Sequence, residues 1–244
     1  MIPRKLFATT KRTLLQLLHD RRTLALLIVV PPALITILKY VFDGSHMVFN
    51  GVAPILLGMF PLTMMFLVTS IATLRERSSG TLDRLMTLPV GKFDILGGYM
   101  LAFSLLALIQ VSITCVVTFG VLNVEIVGDI RNVILVAVLS ALLGTAAGLF
   151  ASAFAKSEFQ AVQFMPAFIF PQLLTCGLFT ARENMAEFLQ KISDFLPLTY
   201  CVEATKQAVF HSGWSGDLTK YTLIMAAFIV GFMIFGVLSI RRVD

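Results

Sequence analysis

Arg75-Glu76-Arg77-Ser78-Ser79-Gly80-Thr81-Leu82-Asp83-Arg84-Leu85-Met86-Thr87-Leu88-Pro89-Val90 is a polar island between two long apolar runs. The run before it, Val52 to Leu74, and the run after it, Ile95 to Leu122, are free of charge. Each is long enough to cross a bilayer, which takes about 20 mostly apolar residues. The island therefore reads as a loop on one membrane face, joining two spanning helices.

The same pattern extends outward. The chain of 244 residues is 57% hydrophobic and 14% charged, against about 25% charged in a soluble domain. Six runs qualify as spans: Leu24 to Tyr40, Val52 to Leu74, Ile95 to Leu122, Val133 to Ala155, Phe159 to Thr180 and Tyr221 to Ile240. They are continuous rather than alternating, which favours helices over a β-barrel. The expected fold class is an all-α polytopic membrane protein. It would have six transmembrane helices, an N-terminal interfacial helix and two short extracellular helices before the sixth span. The expected organisation is a cytoplasmic interfacial helix over 1–22 and one six-span domain over 23–244. Within that domain, 75–92 form a cytoplasmic loop and 181–219 an extracellular lid. No small-x-small cleavage site follows the first apolar run, so that run is expected to remain as a span.

Sidedness follows from the basic residues. Arg4, Lys5, Lys11, Arg12, Arg21, Arg22, Arg75, Arg77, Arg84, Lys92, Lys156, Arg241 and Arg242 fall on one side. Lys39, Arg131, Arg182, Lys191, Lys206 and Lys220 fall on the other. This excess places both termini and the Arg75 loop in the cytoplasm. Tyr40, Tyr200, Trp214 and Tyr221 then form an outer aromatic belt. The net charge of +5 is spread along membrane edges and does not point to nucleic acid.

Over 1–22, Leu6, Phe7, Thr10, Leu14, Leu17 and Leu18 share one helical arc, with Arg4, Lys5, Lys11, Arg12 and His19 on the other. That pattern predicts a basic amphipathic helix on the inner surface, beside the plainer reading of a topogenic basic segment. Pro31-Pro32 interrupt the first span, and Lys39 at its outer end snorkels or contacts a partner. Gly144 and Gly148 in the fourth span form a small-xxx-small face for close packing, more simply within the chain than between chains. The fifth span is broken by Pro166 and Pro171 and rich in Phe. Those Phe line a lipophilic cavity or face lipid. Asn184 with Glu187 reads as a capping box, and the segment around Phe188 and that from Thr199 to Phe210 as two amphipathic helices dipping into the outer interface. Cys176 and Cys201 share the outer half, so a bridge between them is open.

In the loop, Ser78-Ser79-Gly80 breaks the helix and Thr81 is placed to cap a new one, with Asp83 in its first turn. Leu82, Leu85 and Met86 share a face, and Pro89 ends the element. A two-turn helix with an apolar face and a charged rim is a docking surface, since a plain reversal needs fewer residues.

No Gly-x-x-x-x-Gly-Lys-Ser/Thr phosphate loop is present. No span carries a central acidic residue for ion coupling, and no metal-ligand or nucleophile–base grouping stands out. These features weigh against an ion-coupled secondary transporter and a membrane enzyme. A non-transporting membrane scaffold remains the other alternative.

The loop Glu76 to Leu85 closed by Pro89-Val90, Cys176-Gly177-Leu178-Phe179, Leu196-Pro197-Leu198-Thr199-Tyr200 and Glu203-Ala204 before Lys206 together resemble the ABC type-2 transporter permeases, including the daunorubicin-resistance type of drug-export subunit. Lys206 stands where many members have arginine, which keeps charge without bidentate pairing. The resemblance spans essentially the whole chain. It implies a non-enzymatic permease subunit in the inner membrane of a prokaryote, exporting a lipophilic drug-like or lipid substrate. It would pair with a second copy or a similar permease and with a separate ABC ATP-binding subunit that holds ATP and Mg; this chain would carry no cofactor. Glu76, Arg77, Gly80, Thr81, Asp83 and Arg84 would contact that ATPase or shape the coupling loop. Phe164, Phe168, Gln172 and Leu173 would line the substrate path, and Pro197, Tyr200 and Lys206 the extracellular lid.

Overall fold

The structure is a computed structural model describing residues 3–87 and 91–239, with the side chains of Pro3, Asp83 and Met86 also left undescribed. Leu88, Pro89 and Val90, where the loop helix was expected to stop, lie outside the described residues, as do Met1, Ile2, Ile240, Arg241 and Arg242. Ten α-helices and no strand occur among the described residues: α1 (Pro3–His19), α2 (Arg21–Val41), α3 (His46–Ser78), α4 (Thr81–Met86), α5 (Lys92–Cys115), α6 (Ile130–Ser152), α7 (Glu158–Thr175), α8 (Glu187–Ser193), α9 (Pro197–Phe210) and α10 (Gly216–Ser239). A π-helical segment, Val116–Val121, extends α5.

Local chemistry sets the boundaries. Asp20 ends α1 and caps α2, accepting from the Thr23 amide at 3.2 Å and the Thr23 hydroxyl at 2.6 Å. Asp129 caps α6 through the Arg131 amide at 2.8 Å, and Ser157 caps α7 through the Gln160 amide at 3.2 Å. Such caps satisfy amides that the first helical turn leaves open. α2 runs through Pro31 and Pro32 without ending. Lys39 donates from Nζ to the Leu122 carbonyl at 3.1 Å, tying the end of α2 to the end of the π segment.

Among the described residues, five helices are long and apolar enough to cross a membrane: α2, α3, α5 with its π extension, α6 and α10. α7 has 18 residues, with Gln160, Gln163 and Gln172 and two internal prolines lowering its apolar character. Its first residue, Glu158, meets Arg75 at one end of the bundle. Gln172 near its last turn meets Leu198 in α9.

α3 and α6 form the buried centre, and α2 and α10 lie mostly exposed on the outside. Small residues explain the closeness of the central pair. A Cβ on Gly148 would sit 2.6 Å from the Phe66 carbonyl oxygen, and one on Gly144 would collide with the Leu62 backbone. The small-xxx-small face thus packs inside the chain.

Three expectations change at this level. α1 buries Leu6, Thr9, Thr10, Thr13 and Leu17 against the bundle and leaves Phe7 (65% exposed) and Leu18 outward. The buried stripe is therefore rotated from the expected arc toward the threonines. Gly98 makes room for it: a Cβ there would lie 2.6 Å from Thr9 Cβ. Arg12, expected on the solvent arc, turns inward because a carboxylate and a phenol await it.

α9 was expected to lie on the outer interface. It is buried instead along Leu198, Cys201, Val202, Ala204, Thr205, Ala208 and Val209. Glycines opposite it permit this, since any Cβ on Gly58 would run into Thr205 and any on Gly128 into the Ala208 carbonyl. Its charged residues, Glu203 and Lys206, pair at 3.1 Å, which allows them to be brought inside. α8 keeps Phe188 and Ile192 exposed, as does Phe195 in the turn after it, as an interfacial segment would.

The capping box does not form. Asn184 closes a 3₁₀ turn, Arg182–Asn184, and Ala186 occupies the cap position of α8. Arg182 sets this geometry by donating to Ser193 Oγ at 3.1 Å and pairing with Asp194. Cys115, Cys176 and Cys201 are all buried and unbridged.

Candidate functional site

α3 has 33 residues, about 50 Å at 1.5 Å per residue, well beyond a hydrocarbon core of about 30 Å. Its last turn therefore projects past the apolar layer. That turn carries Arg75, Glu76 and Arg77, and each reaches a different part of the chain.

Glu76 is 9% exposed. Its Oε2 accepts from Arg12 Nη2 at 2.7 Å and from the Tyr99 hydroxyl, joining α3 to α1 and α5. The Arg12 guanidinium also donates to the Tyr99 hydroxyl at 3.3 Å and lies 6.0 Å from the ring centre. Arg75 spans two helix starts. Its Nε and Nη2 grip Glu158 at 2.8 and 2.9 Å, the bidentate geometry that suits guanidinium and carboxylate. Its Nη1 reaches Asp20 Oδ2 at 3.1 Å. Arg77 Nη2 donates to the Ala155 carbonyl at 2.6 Å, just beyond α6. Three consecutive side chains thus tie α3 to α1, to α5, to the start of α2, to the start of α7 and to the end of α6.

The chain then reverses. Gly80 has φ = 71°, in the left-handed region that glycine enters without steric cost. Its carbonyl accepts from the Arg84 amide at 3.1 Å, so Gly80 holds the cap position of α4 and Thr81 is the first helical residue. Thr81 was expected to cap; its hydroxyl instead pairs with Ser79 Oγ at 2.9 Å. Leu82 is buried and Leu85 half-buried, while Ser78, Ser79, Arg84 and Thr87 face outward. Of the six loop residues singled out by sequence, Glu76 and Arg77 face inward, Gly80 and Thr81 form the turn, and Arg84 is exposed. The side chain of Asp83 lies outside the described residues.

Sequence reasoning missed the partners: Arg12, Asp20, Tyr99 and Glu158. Tyr99, the one tyrosine in the interior rather than at the end of an apolar run, next to Gly97-Gly98, was the available signal.

Asp20 and Glu158 are both held below their ordinary carboxylate values. For Asp20 the main cause is the Thr23 hydroxyl, then the Thr23 amide, with Arg75 adding to it. For Glu158 it is the hydrogen bond from Arg75. A lowered value in the folded state stabilises above the unfolded value and is lost as pH falls through the folded one. Both carboxylates are largely solvated, so the effect is modest. Lowering pH from 6 to 3 is expected to lower the amide protection factors at the starts of α2 and α7 before those of α6. Equal protection at both pH values in a hydrogen-exchange experiment would contradict the Arg75 clamp.

The expected path residues separate. Phe164 packs with Ile71, Leu74, Ala155 and Ala161. Phe168 stacks on Phe66 with ring centres 5.0 Å apart. Gln172 is fully buried, donating to the Phe168 carbonyl at 2.8 Å and accepting from the Leu198 amide at 3.0 Å. Leu173 is half-buried against the core. Phe168 also lines an apolar cavity of about 490 Å³ with Phe195, Pro197, Phe228 and Phe232. Of the outer residues, Pro197 opens α9 and is buried. Tyr200 donates to the Asp194 carbonyl at 2.6 Å, and Lys206 to the Gly177 carbonyl at 2.8 Å.

Comparison with known proteins places this geometry. The ABC-2 type transporter family matches residues 4–210. ABC transporter G family member 20 of Dictyostelium discoideum is 28% identical over 163 residues, 67% of this chain and 22% of the relative. The inner membrane transport permease YhhJ of Escherichia coli (strain K12) is 29% identical over 182 residues, 71% of this chain and 48% of the relative. The linearmycin resistance permease protein LnrN of Bacillus subtilis (strain 168) is 26% identical over 167 residues, 68% of this chain and 43% of the relative. The chain spans less than half the length of each of these curated relatives.

Proposed function

The chain belongs to the ABC-2 type transporter family, and from that premise we propose that it is the membrane permease subunit of an ATP-driven exporter. ATP and Mg are held by a separate ABC ATP-binding subunit, and two permeases, identical or similar, complete the assembly. The observation that carries this reading is the joint at the end of α3. The short helix α4, with Arg84 turned to water and Leu82 buried, follows closely on a last turn of α3 whose side chains bind five other parts of the chain. A push on α4 from water passes through the Ser79–Gly80 turn and reaches α1, α2, α5, α6 and α7 through Arg75, Glu76 and Arg77. Gly80 and Thr81 shape the turn, and Asp83 and Arg84 belong to the rim that meets the ATPase.

Sidedness rests on the basic-residue count, which puts the joint and both termini in the cytoplasm. The inner membrane of a prokaryote is the setting, in keeping with the name of the Escherichia coli relative. α7 serves as the sixth crossing, its 18 residues giving about 27 Å; residues 1–22 dock on a single six-span domain. The substrate is lipophilic, a drug-like molecule or lipid. The apolar cavity beside Phe168 and the resistance relative in Bacillus subtilis support that class. Pro197, Tyr200 and Lys206 brace the outer closure, where Lys206 ties α9 to the turn after α7.

The test is reconstitution with an ABC ATP-binding subunit in liposomes. Arg84→Glu reverses an exposed rim charge and is expected to weaken ATPase docking about tenfold, or about 1.4 kcal/mol, with unchanged unfolding. Gly80→Pro imposes φ near −65° on a position at φ = 71° and is expected to uncouple hydrolysis from transport. Full transport by both variants would remove α4 as the coupling element.

A further inference from the structure

The apolar cavity of about 490 Å³ is a groove on the flank of the bundle, among α7, the turn from α8 into α9, and α10. No charged or hydrogen-bonding side chain lines it, and five of its ten lining residues are phenylalanine. Two of these, Phe195 (80% exposed) and Phe235 (58% exposed), stand largely open, so the groove faces sideways into the bilayer.

The rings are placed unevenly. α10 has three phenylalanines, Phe228, Phe232 and Phe235, and all three line the groove. Its other large exposed apolar residues, Leu223, Val230, Ile234 and Leu238, are aliphatic. The groove rings are also held from behind. Phe150 of α6 lies 5.8 Å from Phe232 and 6.2 Å from Phe235, centre to centre, and Tyr200 of α9 lies 5.9 Å from Phe228. On the α7 side, Phe66 stacks on Phe168 at 12° between the ring planes, which takes one face of Phe168 and leaves the other for an occupant. Gly231, in the same wall as Phe228 and Phe232, has nothing within 4 Å of a Cβ, so open space lies beside these rings.

An apolar molecule that leaves lipid tails for this groove gains little from the hydrophobic effect, because the tails are equally apolar. Ring–ring contact and ordering cost decide between occupants. Aromatic faces and edges attract one another beyond simple burial, and a saturated chain offers neither. An acyl chain must also freeze many rotors to lie here, whereas a fused ring system has none to freeze. A formal charge would be stranded against a wholly apolar lining.

We propose that the groove receives an uncharged, planar molecule of fused aromatic rings, which enters sideways from the bilayer in preference to the lipid chains around it. The inference rests on the reading of the chain as a permease for lipophilic molecules and narrows that class. All lining residues come from one chain, so binding requires neither ATPase nor nucleotide.

The experiment uses the full chain in phospholipid nanodiscs, without ATPase or nucleotide. Two photolabels are compared, the fused-ring azidopyrene and an aliphatic diazirine-bearing hexadecane, and labelled residues are mapped by mass spectrometry. The readout is label in the groove relative to label on the Leu223, Val230, Ile234 and Leu238 surface of α10. That ratio is expected to be about tenfold higher for azidopyrene, the scale of two ring–ring contacts. Excess pyrene, but not excess hexadecane, should displace the groove label. Phe195→Leu with Phe235→Leu keeps the lining apolar, removes two largely exposed rings, and should lower the azidopyrene ratio about fivefold. Gly231→Leu fills open space and should lower it as well, which covers the case in which the double variant unfolds. Equal ratios for the two photolabels overturn the proposal and assign the groove to lipid chains. Groove label that pyrene does not displace overturns it too, as does an unchanged ratio in the folded variants. Labelling that meets these expectations stands even where reconstituted transport fails, so the two failures are separate.

Discussion

Glu76→Ala is expected to lower stability by about 2–4 kcal/mol, because it removes one partner of a largely buried ion pair and leaves the other in place. Arg12 would keep its charge against α5 with its nearest carboxylate gone, and the Tyr99 hydroxyl would lose its acceptor. The control is Arg12→Met with Glu76→Met. Replacing both partners by apolar side chains of similar length is far less costly than removing one, so the double variant should be more stable than Glu76→Ala. A thermal or denaturant series in detergent measures both. The wider consequence is functional. With Glu76 gone, α1 and α5 no longer follow α3, and partner-driven hydrolysis should persist while transport falls. A Glu76→Ala protein as stable and as well coupled as the parent would show that the triad is ornamental.

Gly144→Val should be at least as damaging, at about 3 kcal/mol or more, near the upper end for overpacking in a close-packed interior. The new Cβ would land on the Leu62 backbone, and backbone cannot rotate aside as a flexible side chain can. α3 and α6 would have to separate along the whole central contact. Gly231 in α10 supplies the comparison. Nothing lies within 4 Å of a Cβ there, so Gly231→Ala should be neutral or slightly stabilising. Similar losses from both substitutions would mean that the α3–α6 contact is not the centre of the fold.

Much of this architecture was legible because hydrophobic run length is a direct readout of bilayer thickness. The helices α2, α3, α5, α6 and α10 fall where the apolar runs lie. The glycine pair at 144 and 148 marked a close crossing because only small side chains permit one. The burial of α9 was not legible. Its residues alternate apolar and polar as an interfacial helix would, and its depth depends on Gly58 and Gly128, distant glycines with no local signature. The joint was half legible. Polar density singled out Glu76 and Arg77, and glycine marked the turn at Gly80. That Glu76 would face Arg12, 64 residues away, lay beyond any local pattern. Charge on an amphipathic arc says which face is polar, not which polar group turns inward to find a partner.

The length of α3 has a mechanical consequence. Gly144 and Gly148 hold it near Leu62 and Phe66, about 14 residues or roughly 21 Å from its Ser78 end and about 18 residues or roughly 27 Å from its His46 end. A rod gripped near its middle behaves as a lever. Tilting it by about 5° would carry each tip by roughly 2 Å, in opposite directions. On this geometry an inward displacement of α4 on one side of the membrane becomes an outward displacement on the other. The fulcrum is two glycines, and no signal need pass from residue to residue along the helix.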